Sequence, residues 1–379
     1  MKIAIATFAD LPNPPVKGGA VESLIDDLCQ VNEAEHKLSI DVFSIQDTAA
    51  AEETDLYKNT NYIFYKKHQN GRYCKKNIIW KLFKLHIPDK TMSELVKLIN
   101  QNIYDYVIIT SINYEMEYIF RKIHSKVIWY LHGDPLSVLS QNAVRRIASQ
   151  CHAVITVSNF VNRRVVSVNP ACKVLTVRNC TDIIPLIGED AAEARHVVRK
   201  EFNIRDEDVL FTYIGRISPI KGILELVRAF MAANLSNATL LIVGTPSTDN
   251  ERNYFERVQE IVNEQVVFSG YVRHDLLNRL YCATDCVVAP SICNEAAPLV
   301  ALEAAACCKP LIATNIGGIP EYADENTTLI DYDAHFENRL MEAMLKICDN
   351  CRDNTPAPKQ ENGIKQYYAD FCKALQQIS

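Results

Sequence analysis

The sequence predicts an α/β protein made of two units, each a parallel sheet with helices on both faces. Three observations carry this expectation. The chain has 379 residues, beyond the size at which a single hydrophobic core usually stops growing. Apolar runs of strand length alternate with helical stretches, the pattern of a parallel sheet covered on both sides. The alternation runs twice, with a pause over residues 180–208.

The first run opens with a strand over residues 2–8. A helix over 20–31 follows, with Val21, Leu24, Ile25 and Leu28 at helical spacing. A second strand is predicted over 38–45, and further strands over 104–111, 126–131, 153–157 and 173–177. Helices such as 90–101 and 143–151 separate them. In the pause, a charged helical stretch covers 191–202. The second run then places strands at 209–214, 239–243, 265–268, 286–289, 310–313 and 327–330, a unit of about 150 residues and ordinary domain size. A helix over 364–378 closes the chain. The implied domains are 1–182 and 195–355.

Hydrophobic content of 48% with 23% charged residues fits a globular protein. No apolar run approaches the roughly 20 residues needed to span a bilayer. The start is a strand-length run that meets Asp10 and three prolines, which does not read as a signal peptide. The 13 cysteines are odd in number and lie mostly in apolar runs, as at Cys29, Cys151, Cys286 and Cys307. Reduced, buried thiols in a cytoplasmic protein are the expectation. Cys348-Asp-Asn-Cys351 lacks a second pair at zinc-ribbon spacing. The net charge of −6 divides into about +2 for residues 1–190 and about −8 for the rest, so a nucleic-acid partner is not expected.

The most informative stretch is Pro290-Ser-Ile-Cys-Asn-Glu295-Ala-Ala-Pro-Leu-Val-Ala-Leu-Glu303-Ala. Cys286-Val-Val-Ala upstream reads as a buried strand, and Pro298 suits the first turn of a helix. Glu295 then falls in a loop, and Glu303 lies about 7.5 Å along the helix axis at about 1.5 Å per residue. Ligands of open α/β sheets sit at the carboxyl ends of strands, and a helix start attracts anions. A phosphate at that helix start, with carboxylates accepting from sugar hydroxyls, suits a sugar nucleotide. Two glutamates at this spacing also occur in ordinary helices, so neighbouring motifs decide.

Those motifs are Tyr213-Ile-Gly215-Arg216-Ile-Ser-Pro-Ile-Lys221-Gly222 upstream and Lys309-Pro-Leu-Ile-Ala-Thr-Asn-Ile-Gly317-Gly318 downstream. A planar guanidinium and a mobile ammonium after a strand suit two phosphates. Pro15-Val-Lys-Gly18-Gly19-Ala-Val-Glu22 forms a long strand-to-helix loop that permits close backbone approach. No G-x-G-x-x-G is present, so a dinucleotide cofactor is not expected.

With these motifs in order, the chain resembles the family 4 glycosyltransferases, retaining enzymes of the GT-B fold with two facing Rossmann-like domains and a cleft between them. The resemblance implies a nucleotide-sugar donor bound mainly by the second domain, with UDP the commonest nucleotide in the family. It implies a glycan, lipid-linked or other hydroxyl acceptor on the first domain. The terminal helix (360–379) is expected back on the first domain. Arg216 and Lys221 would bind the donor diphosphate, and His132, with Asp134 a weaker candidate, would contact the transferred sugar. Glu295 and Glu303 would accept from sugar hydroxyls, with Leu299 and Val300 at the helix start. Gly18, Gly19 and Gly215 would allow close approach, and the backbone at Val272 would read the base. Cys180, Cys308 and Ala296-Ala297-Pro298-Leu299 depart from the family pattern, where glycines or Pro-Phe-Gly-Leu are common.

No metal is expected, because the cations and helix ends supply positive charge. Asp331-Tyr-Asp333 resembles a metal-binding D-x-D, but a solvated helix start accounts for it. The stretch 57–88 holds eight Lys and Arg and no Asp or Glu, interleaved with aromatics. Both a solvated excursion and a patch touching an anionic membrane surface fit it. The competing readings are a catalytically silent relative that binds sugar or serves a structural role, and a sugar-nucleotide epimerase.

Overall fold

A computed structural model describes residues 1–7, 11–68, 90–350 and 363–379. The chain divides into two compact units, Met1–Cys180 with Gly363–Ser379, and Thr181–Asn362.

The first unit is a seven-stranded sheet in the order β3-β2-β1-β4-β5-β6-β7, every pair parallel. The strands are β1 (Lys2–Ala6), β2 (Ser39–Ile45), β3 (Thr60–Tyr65), β4 (Tyr106–Ile109), β5 (Lys126–Leu131), β6 (Ala153–Thr156) and β7 (Val174–Thr176). β4 and β6 are buried along their whole length, which explains why they read as unbroken apolar runs. β1 is shorter than expected, ending at Ala6.

β3 is a strand the sequence reading missed. Thr60-Asn-Tyr-Ile-Phe-Tyr65 is β-branched and aromatic and forms the sheet edge against β2. Its place inside a basic stretch masked that signal. Residues 69–88 of the stretch lie outside the described residues, as does Cys351 of the C-x-x-C.

The helix Gly363–Ile378 belongs to the first unit, as the resemblance implied. It packs on the helix Ala20–Glu35 through a fully buried Asn32. The Asn32 amide exchanges hydrogen bonds with the Leu38 backbone at 2.9 and 3.0 Å and accepts from the Tyr368 hydroxyl at 2.6 Å. Tyr367 and Tyr130 join their hydroxyls at 3.0 Å. Each buried polar group there has its partner, which such burial requires.

The second unit is a six-stranded parallel sheet in the order β10-β9-β8-β11-β12-β13. Its strands are β8 (Val209–Ile214), β9 (Ala238–Val243), β10 (Val266–Gly270), β11 (Cys286–Ala289), β12 (Leu311–Thr314) and β13 (Thr327–Ile330). Alternate residues feed opposite faces, as the pleat dictates. Phe211, Leu240, Val288 and Ile312 enter one core, and Leu210, Leu241, Val287 and Leu311 enter the other. Among the described residues no helix is long and apolar enough to cross a membrane.

Candidate active site

In the second sheet the strand order reverses between β8 and β11. Ligands of open α/β sheets collect at the carboxyl ends of strands beside such a reversal. Gly215, Arg216 and Lys221 leave β8 there, and Glu295 lies in the loop after β11.

The two loops meet backbone to backbone. Ile292 donates its N–H to Ile220 O at 3.0 Å. Gly222 adopts φ +69°, and a Cβ on it would stand 2.0 Å from Pro290 O. No side chain fits there, so glycine fixes how closely Lys221 approaches the Glu295 loop. Gly318 N–H donates to Glu295 O at 2.7 Å and holds that loop from the other side.

Lys221 Nζ consequently bonds Glu295 Oε1, an ion pair 26% and 17% exposed. Ser291 Oγ donates to the same oxygen at 2.6 Å. Glu295 Oε2 accepts no hydrogen bond among the described residues. Arg216 is half exposed and approaches Glu251, not Glu295, at 3.5 Å. Its carbonyl accepts from the Tyr213 hydroxyl at 2.8 Å, which fixes the turn after Gly215. The two cations thus each hold a separate carboxylate.

The helix after Glu295 runs from Leu299 to Ala306, with Pro298 as the residue before its first turn. The sequence reading put Pro298 inside that turn. Its ψ of 115° is the extended value of a cap position. No side chain caps this start, so the Leu299 and Val300 N–H groups point outward without intrahelical acceptors. Glu303, one turn on, is only 6% exposed and accepts from the Tyr281 hydroxyl at 2.6 Å. Burial raises its pKa, while the Tyr281 bond opposes that rise. Val272 follows β10 and packs its side chain into the core, which leaves its backbone on the loop.

In the first unit, Gly18 (φ 72°) and Gly19 (φ 117°) lead into the helix Ala20–Glu35. A Cβ on Gly19 would stand 2.2 Å from Glu22 Oε2, so this glycine makes room for a buried carboxyl of its own chain. Burial raises the Glu22 pKa. His132 directly follows β5 and packs against Tyr130 with ring centroids 4.2 Å apart. Neither ring nitrogen has a hydrogen-bond partner among the described residues, and both are shielded from solvent. Asp134 caps the short helix Pro135–Val138 and pairs with Arg164 at 3.0 Å.

Burial lowers the His132 pKa from 6.5 to about 3, so its imidazole is neutral near pH 7. The sign follows from proton counting. Between those two values the unfolded chain binds a proton that the folded chain refuses. Stability is therefore full above pH 6.5 and falls on acidification, by up to about 1.4 kcal/mol per pH unit. His132→Gln should flatten this slope between pH 6.5 and 4.5, read by urea unfolding against the parent protein at each pH. Parallel slopes for the two proteins would show that His132 does not titrate this way.

Asp331 and Asp333 flank the end of β13 and share Arg339, at 3.6 and 2.7 Å. Asp333 Oδ1 also accepts from the His335 N–H at 2.8 Å, just before the helix Phe336–Asn350. That is the helix-start role expected of the pair. Sequence reasoning missed Ser291, Tyr281 and Glu251, the residues that hold Glu295, Glu303 and Arg216. Ser291 stands four residues before Glu295, but the other two come from distant elements and carry no local signal.

Residues 195–364 match the family model described as glycosyl transferases group 1. The putative glycosyltransferase YtcC of Bacillus subtilis is 24% identical over 88% of this chain and 80% of its own length. Among solved structures, Anabaena Alr3699/HepE in complex with UDP and glucose aligns over 100% of both chains, with TM-score 0.72 and 17% identity. Sucrose-phosphate synthase from Thermosynechococcus elongatus aligns over 100% of this chain and 99% of its own, with TM-score 0.72 and 19% identity. The fold of the chain is that of these proteins, two Rossmann-like domains of the GT-B type.

Proposed function

We propose that this glycosyltransferase of the hexosyl-transferring class is a retaining, metal-independent enzyme of family 4. It moves a sugar from a nucleotide donor, UDP-linked by preference, to a glycan, lipid-linked or other hydroxyl acceptor. The observation that carries this is Lys221, held on Glu295 at the strand reversal of the second sheet, beside an uncapped helix start. The UDP bound by HepE supports the choice of nucleotide.

In this reading Lys221, Arg216 and the Leu299 and Val300 N–H groups receive the diphosphate. They stabilise the charge that develops as the bond from sugar to phosphate breaks, the largest contribution available to such a site. Glu295 orients Lys221 through Oε1 and accepts a sugar hydroxyl through Oε2. Glu303 accepts from the ribose, with Tyr281 setting its direction. Neutral His132 bonds a hydroxyl of the transferred sugar. As the family resemblance implies, the acceptor attacks from the face the phosphate leaves, and that phosphate takes its proton.

A panel of sugar nucleotides tests the reading. A UDP-sugar at a hundred times its Kd should stabilise the folded chain by about 2.7 kcal/mol, seen as a raised melting temperature. Transfer from the same donor should continue in excess EDTA. If no sugar nucleotide shifts the melt, a silent or structural role becomes the better account. Loss of transfer in EDTA with recovery in Mg²⁺ would return Asp331 and Asp333 to consideration. Contact of the 57–88 stretch with an anionic leaflet belongs to the same reading. Co-sedimentation with anionic vesicles at low salt and release at high salt is its mark.

A further inference from the structure

The second unit contains a cavity of about 720 Å³ at the opposite end of its sheet from Glu295. Asp285 and Lys309, which stand just before β11 and β12, form its floor with Tyr281. Leu186, Ile187 and Arg195 form its other wall. Ligand cavities are commonly about 300–1,000 Å³, mostly apolar with a few convergent polar groups, and this one fits that pattern.

The charges are unbalanced. Asp285, the carboxylate lining the cavity, is fully committed. It pairs with Arg195 at 2.9 Å and with Arg199 at 2.5 Å, and it accepts the Leu210 N–H at 2.7 Å. Two guanidinium groups already outweigh it. The Lys309 amine then has no hydrogen-bond or ion-pair partner among the described residues. Asp285 favours the Lys309 ammonium across the cavity but makes no direct bond to it, and an ammonium among apolar walls is costly without a close partner. Burial is the largest influence on it and pulls its pKa below the usual lysine range.

We propose that this cavity binds a small organic anion, with its head group on Lys309 and Arg195 and its apolar body against Leu186, Ile187 and Tyr281. This site is separate from the diphosphate site and does not depend on the donor chemistry proposed above.

The probe is 8-anilinonaphthalene-1-sulfonate, an apolar body carrying one anionic group, titrated by fluorescence into the folded full chain. One saturable site is expected, unaffected by UDP. Lys309→Gln should weaken it at least about tenfold, since a bond to a charged group is lost. Ala192 lines the mouth and is exposed, so Ala192→Trp should fill the opening without disturbing the core, and should abolish binding. A melting curve for each variant confirms that it is folded. Absence of saturable binding, binding unchanged in both variants, or displacement by UDP would each overturn the proposal.

Discussion

Lys221→Ala is expected to lower turnover with saturating donor at least about a hundredfold, the scale of removing one preorganised electrostatic stabiliser. The reason lies in what holds the ammonium. Gly222 brings the backbone against Pro290, and Glu295, itself fixed by Ser291, takes one of the ammonium's hydrogen bonds. The charge is therefore in place before the donor arrives and needs little reorganisation during bond breaking. Folding should change little, because the pair is partly exposed and such pairs contribute about 0–1 kcal/mol. Lys221→Arg should recover little activity, since a planar fork does not fit the seat of a point charge. Initial rates at several donor concentrations decide the matter. Near-parental turnover in Lys221→Ala would falsify the assignment of Lys221 to the leaving group.

The residues of this candidate site were legible in the sequence because they are local to a few motifs. Gly215, Arg216, Lys221 and Gly222 stand within one loop, and Glu295 and Glu303 within one strand–loop–helix. Their partners were not legible. Tyr281 reaches Glu303 from another helix, and Glu251 reaches Arg216 from the first turn of the helix Asp249–Gln259; only the strand order of the sheet brings these together. The fold followed the same rule. Buried parallel strands announce themselves as apolar runs, whereas edge strand β3, with partly exposed aromatics between basic residues, does not. The loss of a glycine at Cys308 also has a structural trace. Its φ is 52°, the left-handed conformation that glycine adopts at less cost.

Arg199→Met is expected to destabilise the second unit by about 3–5 kcal/mol, the cost of breaking a buried ion pair from one side. The sequence offers only a charged residue near the end of a charged helix, Gly188–Glu201. In the fold its side chain is completely buried. The guanidinium donates to the carbonyls of Ala283, Arg205, Asp206 and Asp208 at 2.8–3.3 Å and to Asp285 at 2.5 Å. It thereby ties the helix to the approaches of β8 and β11, the strands that carry Lys221 and Glu295. A methionine fills much of the volume but leaves those acceptors facing an apolar chain, and each unsatisfied buried group costs about 1–3 kcal/mol. Arg195→Met is the comparison: it shares Asp285 but is 35% exposed, so its loss should cost about 1 kcal/mol or less. Because both arginines hold one carboxylate, the double variant should deviate from additivity by more than about 0.5 kcal/mol. Scanning calorimetry can follow the transition of the second unit in each variant. Equal, small shifts for both single variants would mean that the Arg199 network does not hold the unit together.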